Sequence, residues 1–160
     1  MKYPAELYPK FSIITVVRNR VDTIERAIKS LLSQNYPNFE YLVLDAASTD
    51  GTIEKIKEYQ DKISYFRTHD DNGPASAINE GIKNSTGQII GLLHSDDYLE
   101  DNIMIKVAEA FIENPETEMI NVLGRALSIK DDGSTDISHE CTPDIMFLSQ
   151  DSINAIHPNC

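Results

Sequence analysis

The stretch "QIIGLLHSDDYLEDN", residues 88–102, decides the reading of this chain. Its apolar run from Ile89 to Leu93, interrupted only by Gly91, has the character of a strand covered on both faces. The run passes directly into His94, Ser95, Asp96 and Asp97, so two adjacent carboxylates stand where a buried strand surfaces. Asp97 with Glu100 three residues on has the pattern of a capping box, in which a side-chain oxygen accepts the orphan amides of a helix start. Capping accounts for one acid. The second adds a repulsion that a bound cation would remove, and carboxylate oxygens are the ligands that magnesium, manganese and calcium prefer.

Outward from this stretch, strand and helix patterns alternate. "FSIITVV", residues 11–17, predicts the first strand, and Val21, Ile24, Ile28, Leu31 and Leu32 then recur at helical spacing. Asp22 with Glu25 predicts a capping box at that helix start. "FEYLVLD" predicts a second strand ending at Asp45, followed by a turn through Ser48, Thr49, Asp50 and Gly51 and a helix carrying Ile53 and Ile56. A third strand is predicted from Ile63 to Thr68. A helix with Ala75, Ile78 and Ile82 follows, then the 88–94 strand, then a helix with Ile103, Val107, Ala110 and Phe111. Repeated units of this kind predict an α/β fold: a Rossmann-like, doubly wound, mainly parallel sheet whose ligand crevice lies beyond the carboxyl ends of its strands. That rule gathers Arg18, Asn19, Asp45, Asp96 and Asp97 at one edge. Past Asn114 and Pro115, two strand-like runs flank Asp131, Asp132 and Gly133, predicting a C-terminal antiparallel hairpin. The closing stretch from Thr142 to Cys160 has no decisive period.

The 160 residues, 41% of them hydrophobic, fit one compact domain, residues 1–160. With 26 acidic against 14 basic residues the net charge is −12, which opposes the phosphate neutralisation on which nucleic-acid binding relies. Cys141 and Cys160 match neither a zinc spacing nor a CxxC pair, so unpaired thiols in a cytoplasmic, reducing compartment are expected. No run approaches the ~18 apolar residues of a spanning helix, and no integral membrane segment is expected. Neither a P-loop nor a GxGxxG fingerprint is present, so kinase and dehydrogenase readings lack their phosphate cradle.

Taken together, "FSIITVVRNR", "YLVLDAASTDGT" and "DNGPASAINEGIKNSTGQIIGLLHSDD" resemble the family 2 glycosyltransferases of GT-A fold, from about Phe11 to Leu99. The resemblance implies transfer of a sugar, with inversion, from a nucleotide-diphosphate donor, most readily a UDP-sugar, to a glycan or lipid-linked acceptor in polysaccharide biosynthesis. It assigns Asp45 to the nucleotide base, with Thr15, Val17 and Arg18 as partners at the end of the first strand. It places Asn72, Gly73, Ala77, Asn79 and Gly81 near the ribose and diphosphate. The DXD-type motif falls on Ser95, Asp96 and Asp97, so that Asp97 would ligate a divalent metal, Mn or Mg, and Asp96 would face the ribose or support the metal. Where the family commonly has an acid or glycine after the Asp45 position, this chain has Ala46 and Ala47, and contacts to the base or ribose are expected to differ.

The resemblance also implies a general base downstream of a motif that His157 and Pro158 begin, so the acceptor-binding part is expected to be incomplete in this chain and the base absent from it. Asp144, Asp151 and His157 are the available groups. Two other readings stand beside the transferase: a nucleotide-sugar binding module not competent alone, and a sugar-nucleotide nucleotidyltransferase, whose Gly-rich basic loop "VVRNRVD" lacks. The expected location is the cytoplasm, including the inner face of the membrane, and a homo-oligomer is a further candidate assembly.

Overall fold

A computed structural model describes residues 1–122 and 145–149, and the backbone of residues 125–129 and 135–140. β1 (Phe11–Val17) leads to α1 (Ile24–Leu32), β2 (Phe39–Asp45) to α2 (Thr52–Lys57), and β3 (Tyr65–Thr68) to α3 (Pro74–Asn84). Then come β4 (Ile89–Leu92), α4 (Ile103–Glu113) and four strands: β5 (Met119–Val122), β6 (Arg125–Ile129), β7 (Thr135–Glu140) and β8 (Ile145–Ser149).

The main sheet has the order β3-β2-β1-β4-β8-β5. β1 pairs in parallel with both β2 and β4, and β2 in parallel with β3. The chain thus starts in the middle of the sheet, winds outward to one edge, and crosses back over β1 to continue on the other side. β1 and β4 flank the point where the direction of winding reverses, which is where an open α/β sheet leaves its crevice. β8 then enters antiparallel between β4 and β5, and β6 pairs with β7 in a separate antiparallel ribbon. The predicted doubly wound sheet with an antiparallel C-terminal addition is the observed architecture. The predicted turn at Asp131–Gly133 lies outside the described residues. β8 was not legible in a stretch without a clear period; it inserts into the sheet through Phe147, which stacks edge-on against Phe11 at 5.6 Å.

Period-two alternation divides the sheet residues between two cores. Phe11, Ile13 and Val17 of β1 and Tyr41 and Val43 of β2 join Ile24, Ile28 and Leu31 of α1 and Met104 and Val107 of α4 in one core. Ile14, Leu42, Leu44 and Ile90 meet Ala77 of α3 on the other face. Helices therefore cover both faces of the parallel part, and the polar ends of its strands are what remains for a ligand.

Neither predicted capping box forms. Thr23, not Asp22, precedes α1, without a side-chain cap bond, and Glu25 instead bonds Tyr59 at 2.9 Å and Lys29 at 3.0 Å. α4 starts after Asn102, in the left-handed region at φ 60°, so Asp97 is several residues from any helix start. Capping no longer accounts for either acid.

Candidate functional site

A cleft of about 440 Å3 opens at the carboxyl ends of β1, β2 and β4. Val16, Val17, Arg18 and Arg20 line it from the end of β1, and Leu44 and Ala46 from the end of β2. Asp71, Gly73, Pro74 and Ala77 contribute the start of α3, and His94, Ser95 and Asp96 the end of β4. Segments separated by up to about eighty residues thus meet in one concavity, and within a strongly acidic chain two arginines stand on its wall.

Asp45, the last residue of β2, sits between the lining residues Leu44 and Ala46 and is 0% exposed. Its Oδ2 accepts from the Ser48 amide at 3.0 Å and from the Thr68 hydroxyl at 2.7 Å. Its Oδ1 is buried with no hydrogen-bond partner, a condition shared among the described residues only by the Thr23 hydroxyl. A buried acceptor left without a donor costs about 1–3 kcal/mol, and more for a charged group. This one lies at the end of β2, next in sequence to two residues that line the cleft.

The loops around Asp45 are tied to one another. The Ser48 hydroxyl accepts from the Asn19 amide at 2.8 Å, Asn19 Oδ1 accepts from the Thr49 amide at 2.9 Å, and Asp50 Oδ2 accepts from the Val21 amide at 3.1 Å. Asp50 Oδ1 also accepts from the Thr52 amide, two residues on at the start of α2, at 3.0 Å. Asn19 and Ala47 both take positive φ, 50° and 53°, a conformation these cross-links must hold in place.

Beneath the third segment lies Arg67, with 7% of its side chain exposed. Its Nη1 donates to the Asp45 carbonyl at 2.9 Å and the His69 carbonyl at 3.0 Å, its Nη2 to Asp71 Oδ2 at 3.0 Å, and its Nε to Glu80 Oε2 at 3.1 Å. One planar fork therefore fixes the end of β2, the 69–71 loop and α3. Glu80 also accepts from Tyr65, whose phenol pKa is raised by that bond and by burial. Asp71 Oδ1 accepts from the Gly73 amide at 2.9 Å, and Gly73 has φ 100°, a backbone that a side chain would strain, before Pro74 starts α3.

At the end of β4, the Asp97 amide donates to the His94 carbonyl at 3.1 Å and closes a tight turn that presents Ser95 and Asp96. Arg26 of α1 donates to the Asp96 carbonyl at 3.0 Å and lies over the Tyr98 ring at 4.9 Å. Arg20 Nε stands 3.6 Å from Asp96 Oδ2. Asp96 is exposed and Asp97 half-buried. Among the described residues no group of three His, Cys, Asp or Glu side chains is placed to hold a metal. The acidic turn offers one or two carboxylates, a donor set that suits magnesium or manganese when phosphate oxygens supply further ligands.

Of the residues singled out in the sequence, Val17, Arg18, Gly73, Ala77, Ser95 and Asp96 line the cleft; Asp45, Asn72 and Asp97 adjoin lining residues. Arg18 is exposed, 3.9 Å from Asp70. Thr15 stands apart: its hydroxyl donates to the Leu93 carbonyl at 2.8 Å and accepts from Tyr41 at 3.0 Å, inside the core. Asn79 is exposed on α3, and a Cβ at Gly81 would meet Ile14 at 2.8 Å, a packing role. Arg20, Arg67, Thr68, Asp71 and His94 were not singled out. For Arg20 the signal was its place two residues past Arg18; for Arg67 and Thr68, in a short edge strand, nothing local distinguished them from solvated residues.

The profile of glycosyl transferase family 2 matches residues 12–128. An uncharacterized glycosyltransferase of Rickettsia conorii is 43% identical over 101 residues, covering 61% of this chain and 17% of that protein. The putative teichuronic acid biosynthesis glycosyltransferase TuaG of Bacillus subtilis is 31% identical over 108 residues, covering 66% of this chain and 43% of its own length. Among solved structures, the mannosyltransferase PcManGT from Pyrobaculum calidifontis, in complex with GDP-Man and Mn2+, superposes with a TM-score of 0.67 at 22% identity, over 78% of this chain and 40% of that one. S. aureus TarS 1-349 in complex with UDP-GlcNAc gives 0.61 at 29% identity, over 74% of this chain and 37% of that one. The chain spans less than half the length of each of these relatives. Among the described residues no helix is long and apolar enough to cross a membrane. With the family profile matching well over half of its length, the chain belongs to glycosyl transferase family 2.

Proposed function

We propose that this chain binds a nucleoside-diphosphate sugar, a UDP-sugar in the first place, and contributes the donor site of an inverting, metal-assisted transfer to a hydroxyl of a glycan or lipid-linked acceptor. On this reading it acts in the cytoplasm, at the inner face of the membrane when the acceptor is lipid-linked. The observation that carries the reading is the buried, unpartnered Oδ1 of Asp45 beside a cleft walled by Arg18 and Arg20.

The nucleobase would lie toward Asp45, with an imide N–H donated to Oδ1. The diphosphate would then run past Arg18, the start of α3 and the turn at Ser95–Asp97, where the two arginines offset its charge. Asn72 and Gly73 stand at the helix start, where backbone amides favour an anion, and Ala77 leaves room behind them. Thr15 would act through its backbone, its hydroxyl being engaged in the core. Asp97, with Asp96 beside it, would hold a manganese or magnesium ion, which when bound would offset the charge of the departing nucleoside diphosphate. Arg20 and Arg26 keep the acidic turn in place.

A second reading, a donor-binding module that is not competent alone, is favoured by the acids of the cleft itself. Asp71 is tied to Arg67 and the Gly73 amide, and Asp96 stands 3.6 Å from Arg20, so both carboxylates among the described lining residues already face a cation. Asp144, Asp151 and His157 lie outside the described residues.

Calorimetric titration of UDP with and without manganese tests the donor site. Asp97→Asn keeps the shape and removes the charge, and manganese-dependent UDP affinity should fall by roughly tenfold or more. An unchanged dependence on manganese in that variant would reject Asp97 as a ligand.

A further inference from the structure

Oδ1 and Oδ2 of Asp45 do not offer the same thing to a ligand. A carboxylate oxygen accepts about two hydrogen bonds, and Oδ2 already accepts two, from the Ser48 amide and the Thr68 hydroxyl. We propose that Thr68, by occupying Oδ2, makes the site specific for a base with a single ring N–H, uracil or thymine, and rejects guanine. The inference rests on the reading that Asp45 receives the nucleobase.

The base edges differ in ways that a half-occupied carboxylate distinguishes. Uracil and thymine present one ring N–H between two carbonyls, and one free acceptor satisfies it. Guanine presents a ring N–H and an exocyclic amine side by side, which two free carboxylate oxygens would match and one does not. Cytosine presents a ring lone pair, which Oδ1 repels. A polar group of a ligand left unpaired on burial is the strongest source of discrimination a small site has.

The two donors that hold Oδ2 are unequal as points of control. The Ser48 amide is backbone, in a loop anchored to Asn19. The Thr68 hydroxyl is a side chain at the exposed end of β3, where its removal opens no core cavity. The backbone amide of His69 and the Arg67 guanidinium both hold the Asp45 carbonyl, so the main chain around the carboxylate stays fixed when Thr68 is changed. Substitution at Thr68 therefore alters how many acceptor positions Asp45 offers without releasing Asp45 itself.

The test is calorimetric affinity for UDP, CDP and GDP at one fixed manganese concentration, with the full chain and with Thr68→Val and Thr68→Ser. All three nucleotides carry the same diphosphate, so its metal and phosphate contacts cancel from the ratios. The unsubstituted chain should favour UDP over both CDP and GDP by roughly tenfold to a hundredfold. Thr68→Val, isosteric but without the donor, should narrow the UDP-to-GDP ratio by about tenfold, and Thr68→Ser should restore it. A preference for UDP over CDP together with a UDP-to-GDP ratio unmoved by Thr68→Val would overturn the role of Thr68 alone. Equal affinity of the unsubstituted chain for UDP and CDP would overturn the reading of the base by Asp45, and this inference with it.

Discussion

At Asp45 the side chain meets two donors at one oxygen and none at the other. Asp45→Asn turns that asymmetry into a prediction. The Asn oxygen has to take the place of Oδ2, because the Ser48 amide and the Thr68 hydroxyl both donate there. Its NH2 then falls where Oδ1 was, and an acceptor becomes a donor without a change of shape. Uracil would meet donor against donor, and cytosine would find a partner for its ring lone pair. UDP affinity should fall by roughly tenfold to a hundredfold and the order of UDP and CDP should invert, read by the same titration. A uniform loss for both nucleotides, accompanied by a lower melting temperature, would assign Asp45 a structural role. The acid itself was legible in the sequence because it ends a long apolar run. The inequality of its oxygens was not, since it depends on the Thr68 hydroxyl from β3 as well as on the loop that follows.

At the scale of elements, the join between β4 and β8 shows how the sheet reaches the site. Gly91 lies opposite Phe147, and a Cβ at Gly91 would stand 2.7 Å from both Ile13 Cδ1 and Phe147 Cε1. Gly91→Ala must push the Phe147 ring off its edge-on contact with Phe11, an overpacking cost of about 1–3 kcal/mol. The melting temperature should drop by roughly 4–8 °C for a loss near the middle of that range, and an unshifted value would mean that β8 yields freely. β1 and β2 were legible to the residue because both are long and buried on both faces. β8 was not, because its partners β4 and β5 lie far from it in sequence and its own apolar pattern is short. The expected capping box at α1 failed for a related reason: Glu25 finds Tyr59 and Lys29, and other partners override the local pattern.

For the molecule as a whole, the two ends of the parallel strands carry different duties. The carboxyl ends hold the cleft, and the amino ends hold a network around Glu40. Its Oε1 accepts from the Ser12 hydroxyl at 2.5 Å and the Thr86 amide at 2.6 Å, and its Oε2 from Lys10 at 2.8 Å and the Thr86 hydroxyl at 2.9 Å. The network joins β1, β2 and the loop before β4. Burial by itself would raise the Glu40 pKa, but the bonds from Lys10, Ser12 and Thr86 outweigh it and bring the carboxyl down to about 2. A carboxyl lowered on folding stabilises the native state fully above its unfolded pKa of about 4.3, and that stabilisation is lost as pH falls through the folded value. The contribution is on the order of 2–3 kcal/mol at neutral pH. Urea unfolding of the unsubstituted chain and of Glu40→Gln should therefore differ most above about pH 5 and converge as the pH approaches about 2. UDP affinity at neutral pH should be the same in both, because the network lies at the opposite end of the strands from the cleft. Unfolding curves separated by a constant amount across this range would show that Glu40 acts through shape and not through its charge. A matching loss of nucleotide affinity would show that the two ends of the sheet are coupled.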